Sequence, residues 1–231
     1  HAIGYFWGYK TAGIFQNQQD INNWIAAGNG VLQSNVQPGD VKYVDVNHDG
    51  TINANDKVDL GNGLPKYTFG FNFTLGYKGF DLSANFTGAA GFQIAQSYRD
   101  PSGSQGNYSH RILGRWTGEG TSNEMPRVTY GDVGNWMFSD LYLQDGDYIR
   151  LQNLTLGYDF KKLISWKGLS KLRLYFQVQN LFTLTKYDGM DPEIGSYNGT
   201  DGNSSDSWVS GVDMGYYPHP RTFIVGVNVA F

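Results

Sequence analysis

Residues 66–90 read KYTFGFNFTLGYKGFDLSANFTGAA, and this stretch decides the fold. From Tyr67 to Tyr77 the odd positions are Tyr67, Phe69, Phe71, Phe73, Leu75 and Tyr77. The even positions are Thr68, Gly70, Asn72, Thr74 and Gly76. Strict alternation with period two predicts a β-strand with one apolar and one polar face. Lys78-Gly79 supplies a two-residue turn, and the return arm sets Phe80, Leu82, Ala84 and Phe86 against Asp81, Ser83, Asn85 and Thr87. Each arm is about 11 residues, the length of a tilted strand that crosses a bilayer. The apolar face carries aromatics at both ends, as a lipid-facing strand with interfacial girdles does. The polar face is small and, apart from Asp81, uncharged, which suits a wet interior.

The same pattern recurs downstream. From Tyr148 to Phe160, Leu154, Leu156, Tyr158 and Phe160 oppose Asn153, Thr155, Gly157 and Asp159. Next, Leu172, Leu174, Phe176, Val178 and Phe182 oppose Arg173, Tyr175, Gln177 and Gln179. At the end, Phe223, Val225, Val227, Val229 and Phe231 oppose Thr222, Gly226, Asn228 and Ala230. The connections alternate between short (78–79 and the basic 161–171) and long (91–146 and 185–220). Outer-membrane barrels show this asymmetry, with short periplasmic turns and long external loops. The expected fold is therefore all-β: an antiparallel transmembrane barrel sector formed by 66–231, with extracellular loops 91–146 and 185–220. Residues 1–65 are expected to be a further extracellular loop region. Within it, 18–27 read as a structured loop, with a short helix capped near Asn17 as the alternative.

Composition agrees. Charged residues make up only 16% of the chain and aromatics 16%, the reverse of a disordered segment. A net charge of −4 with no basic patch argues against a nucleic-acid partner. There is no cysteine, so disulfides, thiolate metal sites and a Cys nucleophile are excluded. No run of 18 apolar residues offers a transmembrane helix, which says nothing against a barrel. The opening His1-Ala2-Ile3-Gly4, without Met or signal peptide, reads as the start of a piece of a longer protein.

Residues 45–56 read DVNHDGTINAND. A calcium loop asks for oxygen ligands at positions 1, 3 and 5, glycine at 6, a main-chain carbonyl at 7 and an acid at 12. Asp45, Asn47, Asp49, Gly50, Thr51 and Asp56 occupy those positions, and Asn53 at position 9 is placed to act through a water. The candidate Ca2+ ligands are thus Asp45, Asn47, Asp49, Thr51, Asn53 and Asp56. The pattern departs from an EF-hand in having Asp rather than Glu at position 12 and extended flanks instead of helices. The competing reading is an Asx-rich turn held by its own side chains. Such an ion would stiffen the loop, because nothing nearby suggests a reacting water.

Several phrases in order resemble the C-terminal part of SusC/RagA-type TonB-dependent outer-membrane transporters. They are Gly39-Asp40-Val41-Lys42-Tyr43 leading into the 45–56 loop, Pro65-Lys66-Tyr67, Tyr148-Ile149-Arg150-Leu151-Gln152-Asn153, and Gln179-Asn180-Leu181-Phe182-Thr183. Two more are Gly189-Met190-Asp191-Pro192-Glu193 and Tyr217-Pro218-His219-Pro220-Arg221-Thr222. One departure is Ile224, which sits where the terminal targeting pattern usually has a polar residue. The resemblance implies the C-terminal strands of a 22-stranded barrel with a plugged lumen. It also implies a SusD-like surface lipoprotein as partner and TonB engaged through the missing N-terminal part. Outer-membrane lipid would surround the wall. The cargo would be oligosaccharides or peptides, the remainder of the same transporter would complete the barrel, and the complex could be dimeric.

The rival reading is a soluble or cell-surface calcium-stabilised β-sandwich that binds carbohydrate, in which the apolar faces meet a second sheet instead of lipid. Nothing supports an enzyme. His1, His48, His110 and His219 share no metal spacing, and Glu119 with Glu124 makes only a weak glycosidase pair. Trp116, Trp136, Tyr197, Trp208 and Tyr216 in the loops are read as packing residues before sugar-stacking ones.

Overall fold

The computed structural model describes residues 3–99, 110–131, 134–164, 166–194 and 211–231. In chain order the strands are β1 (Tyr5–Tyr9), β2 (Thr11–Ile14), β3 (Val41–Tyr43), β4 (Lys57–Asn62), β5 (Tyr67–Tyr77) and β6 (Phe80–Ala90). They continue with β7 (Gln93–Gln96), β8 (Leu143–Asp145), β9 (Tyr148–Asp159), β10 (Lys171–Thr185), β11 (Val212–Asp213) and β12 (Thr222–Ala230). Helix α1 spans Gln18–Ala26. No helix among the described residues is long and apolar enough to cross a membrane. The chain divides into two compact units. One contains 1–64, 93–144 and 195–215; the other contains 65–92, 145–194 and 216–231.

The first unit is built of short pieces around a conventional core. β1 pairs antiparallel with β4, and β2 with β3. Tyr9, Val41, Tyr43 and Ile52 form the buried centre, with Leu32, Met137 and Leu141 packed against it. Residues 18–26 form a helix where a loop was the first expectation. Asn17 supplies the reason: its side chain accepts the Asp20 amide hydrogen, and Ile21 on the inner side is buried. A short 3-10 turn spans His110–Gly114.

The second unit is one antiparallel sheet in the order β12-β10-β9-β6-β5. Its first hairpin is the one expected: Tyr77 pairs with Phe80 across Lys78-Gly79. Both turn residues have positive φ, 47° at Lys78 and 98° at Gly79, as a two-residue turn matched to strand twist requires. The register then sorts the side chains. Phe71 lies opposite Phe86, Phe86 opposite Leu151, and Leu151 opposite Phe182. On the other side Asn72 lies opposite Asn85, Asn85 opposite Asn153, and Asn153 opposite Gln179. Cross-strand partners share a face, so one face is apolar throughout and the other is almost wholly polar. Ile224, opposite Gln177, is the exception on the polar side.

Among the described residues of this unit most of the apolar face lies open, although Ala84, Leu151 and Val178, each beside larger partners on neighbouring strands, are buried. Phe71 is 58% exposed and Val225 70%. β5 and β12 are the sheet edges, each hydrogen-bonded to one neighbour only. The register shifts between Asn85 and Phe86 on β6 and between Gln179 and Phe182 on β10. Gln152 on β9 is the extra residue against β6, so this point is a bulge.

Candidate functional site

The 45–56 loop belongs to the first unit and lies between β3 and β4. Its first and last acids are both buried, Asp45 at 1% and Asp56 at 0% exposure. Asp45 accepts the amides of Asp49 (3.3 Å) and Gly50 (2.7 Å). Asp56 accepts those of Val46 (3.0 Å), Asn47 (3.4 Å) and Asn53 (2.8 Å). Asp49 is exposed and accepts the Thr51 amide (2.9 Å) and hydroxyl (2.6 Å), while Asn47 donates to it from its amide side chain (2.9 Å). Bonds from Thr51 and Asn47 hold the Asp49 carboxyl below the usual range. Asn53 caps the 3-10 turn Ala54–Asp56 through the Asn55 amide.

All six sequence-predicted ligand residues therefore sit on one loop, with Ile52 buried beneath it as its anchor. Donor type and order fit a hard cation. Convergence is weaker. Each carboxylate faces backbone amides, and no group of three Asp, Glu, His or Cys gathers as a metal cluster among the described residues. The turn is complete through its own Asx hydrogen bonds. Even so, Asp45 and Asp56 are buried carboxylates without an ion-pair partner among the described residues.

The second unit holds a charged cluster that sequence reasoning missed. Arg150 on β9 is 3% exposed. Its Nη2 donates to Asp191, its Nη1 donates to Glu193 (2.7 Å), and its Nε donates to the Thr183 hydroxyl (2.9 Å). Asp191 also accepts the amides of Glu193 (2.9 Å) and His219 (3.1 Å) and contacts the His219 Nδ1 (3.0 Å). Burial alone would raise the Asp191 carboxyl. The bonds from the Glu193 and His219 amides, the His219 ring and Arg150 outweigh it and hold the group below the usual range. The arrangement does no bond-breaking chemistry. It fixes residues 191 and 219, the two roots of one long loop, to a single arginine on the polar face. The available signal was the three phrases around Arg150, Asp191 and His219, which meet here.

A second ion pair lies nearer the tight turn on the same polar face. Arg173 donates to Asp81 from Nε (2.8 Å), and its guanidinium lies over Tyr175. Both side chains lie across Gly157, where an added Cβ would come within 2.5 Å of Arg173 and 2.6 Å of Asp81. Elsewhere the sequence candidates have plain structural duties. Glu119 accepts from the Asn17 side chain (2.6 Å). Trp136 is buried against Tyr142, and Trp116 packs beside Gly39. His1, Tyr197 and Trp208 lie outside the described residues.

Comparison with known proteins follows the same lines. No family model matches the sequence. TonB-dependent receptor P3 of Formosa agariphila is 34% identical over the whole chain, which covers 22% of that receptor. TonB-dependent receptor SusC of Bacteroides thetaiotaomicron is 29% identical over 87% of the chain, covering 18% of its own length. Among solved structures, the RagAB peptide transporter superposes over 98% of the chain with a TM-score of 0.67 at 21% identity, and 23% of that transporter chain is covered. The chain thus spans about a quarter or less of the length of the relatives it matches.

Proposed function

We propose that this chain, a relative of the SusC-type TonB-dependent receptors over its whole length, is the C-terminal sector of the barrel wall of an outer-membrane importer. The observation that carries the reading is the register. Five neighbouring strands send apolar side chains to one face, most of that face lies open among the described residues of its unit, and the other face is almost wholly polar. A sheet of this kind is stable where lipid covers one side and a wet lumen the other. The two open edges then continue into the remaining strands of the barrel. Lys78-Gly79 and 161–171 become the periplasmic turns. The long connections become external loops, and the Arg150 cluster fixes the roots of the last one. The relatives are named receptors and a transporter, not enzymes. The cargo in this reading is a large nutrient, an oligosaccharide or a peptide, taken up with a SusD-like lipoprotein and driven by TonB through upstream parts of the polypeptide.

The test is isolation of the protein from outer membranes in mild detergent, with the intact mass of every chain that co-purifies. A polypeptide several times the length of this chain, together with a lipidated partner, is expected. A short chain found alone in the soluble fraction overturns the reading in favour of a β-sandwich.

For the 45–56 loop the proposal is a structural calcium ion. It is favoured by the two buried, uncompensated carboxylates Asp45 and Asp56 on either side of the exposed Asp49. Asn47, Asn53 and the Thr51 carbonyl would complete the oxygen set, and the ion would neutralise the loop and stiffen it. Calorimetry on chelator-treated protein reads this directly. Absence of heat, with unchanged amide protection over 45–56, leaves the loop as an Asx turn.

A further inference from the structure

We infer that the tight-turn end of the five-stranded sheet is a docking surface for the headgroup of an anionic glycerophospholipid. The inference rests on the barrel reading above. Its basis is a cluster of exposed lysines beside exposed aromatics at the tight-turn end of the sheet.

That end is defined by backbone contacts. Asp159 donates its amide to the Gly79 carbonyl (2.8 Å), and Ser170 donates to the Ala230 carbonyl (2.8 Å). The turn 78–79, the connection 160–171 and the end of β12 therefore lie side by side. Lys78, Lys161, Lys167 and Lys171 cluster here, and none of them forms an ion pair among the described residues. The two carboxylates at this end are already occupied. Asp81 is paired with Arg173, and Asp159 accepts the Lys161 amide (2.9 Å). Lys161 donates its Nζ to the carbonyl of Trp166 (2.7 Å), which closes the connection, while Lys78, Lys167 and Lys171 remain exposed. The opposite end is different: Asp191 and Glu193 gather there on Arg150, and Asp147 accepts the Gly91 amide.

Beside the lysines lies an exposed aromatic band. Tyr77 is 65% exposed, Phe80 54% and Trp166 60%. Trp166 meets Phe231 edge-on (6.3 Å), Phe80 meets Tyr158 (4.4 Å), and the Lys78 Nζ sits over the Tyr77 ring (5.3 Å). Aromatic side chains with an apolar body and a polar edge settle at the headgroup level of a bilayer, and long lysines reach outward from it. The band is continuous with the bare apolar face at Tyr77, Phe80 and Tyr158. Acyl chains against that face bring their phosphates level with uncompensated ammonium groups. A net anionic headgroup is favoured over a zwitterionic one, because the exposed Lys78, Lys167 and Lys171 outnumber the anions left at this end, where the side chains of Asp81 and Asp159 are already occupied.

The test uses the full-length protein, inserted into vesicles of equal phosphatidylglycerol and phosphatidylethanolamine. It is extracted gently, and retained lipids are counted by intact mass. Retention of phosphatidylglycerol several-fold above phosphatidylethanolamine, shrinking as salt is raised, is expected. The triple variant Lys78→Gln, Lys167→Gln, Lys171→Gln should lose that preference, at up to about fivefold per lysine. The corresponding Lys→Arg triple should keep it. Equal retention of both lipids by the natural protein overturns the inference and leaves the barrel reading standing, as does a preference that survives the Gln triple. An acidic polypeptide crosslinked through Lys167 or Lys171, in place of lipid, also overturns it. Failure to enter vesicles at all brings down the barrel reading and this inference with it.

Discussion

The first unit buries Tyr9, Val41, Tyr43 and Ile52 at 1–8% exposure, whereas the five-stranded sheet leaves Phe69, Phe71, Phe73 and Leu75 between 42% and 58% exposed. Both use aromatic and β-branched residues freely. The difference lies in what each is built to meet. Short strands joined by turns fold back and cover their own apolar atoms. Strands of 9 to 15 residues that alternate along most of their length present a broad apolar face that the described residues of their unit leave largely open. An apolar patch this large on a water-soluble protein marks an interaction surface or an aggregation hazard. Covered by lipid it is neither. The polar residues differ in the same way. In the first unit Asp40 and Asn135 are buried with Arg127 and Gln33 as part of the core. In the sheet Arg150 and Arg173 lie on the polar face with their carboxylate partners.

Substitutions can sharpen that contrast. The largest effect is expected from Arg150→Ala, which strips the cation from a buried Asp191. The local opening free energy of 187–194 and 216–221 should fall by about 3–5 kcal/mol, read as faster amide exchange in the full-length protein. Unchanged protection there would mean that the cluster does not hold the loop roots. Because the Asp191 carboxyl is depressed in the folded state, its contribution is complete above the ordinary Asp value. It is lost as pH falls below about 4 and through the depressed value. Asp191→Asn should flatten that acid limb of the protection profile.

Phe71→Arg comes next. At the middle of a lipid-facing strand it should cost about 2–4 kcal/mol and reduce assembly in membranes. Normal insertion would show that the face does not meet lipid. In the first unit Asn135→Leu leaves the Val41 amide and Asp40 short of a partner, at about 1–3 kcal/mol in denaturant unfolding. Protein without lipid should feel this change as strongly as protein in lipid, unlike Phe71→Arg. The smallest effect is that of Asn17→Ala, about 1 kcal/mol through loss of the cap on α1, read as faster exchange at Asp20. No change would mean that α1 is held by packing of Ile21 alone.

Period-two alternation is a local property, because side-chain direction reverses at every residue of an extended chain. From it the sequence determined that 67–77 and 80–90 are strands, which of their faces is apolar and where they turn. The order of donors in 45–56 likewise announced a turn rich in Asp and Asn, since most of those hydrogen bonds reach only two to five residues, and those from Val46 and Asn47 to Asp56 only ten and nine. The α1 helix was harder to read, because its single cap at Asn17 competes with a polar, weakly periodic body. What only the tertiary structure decided is the placement of Arg150. Its even number matches Leu154, Leu156 and Tyr158, so unbroken alternation would send a guanidinium to the apolar face. The bulge at Gln152 inserts one residue and reverses the parity, which sets Arg150 level with Thr87 and Thr183 on the polar side. Its partners Thr183, Asp191 and Glu193 stand 33, 41 and 43 positions away, and Asp191 in turn meets His219. Pairings at that separation depend on register across three strands, and no local pattern in the chain encodes it.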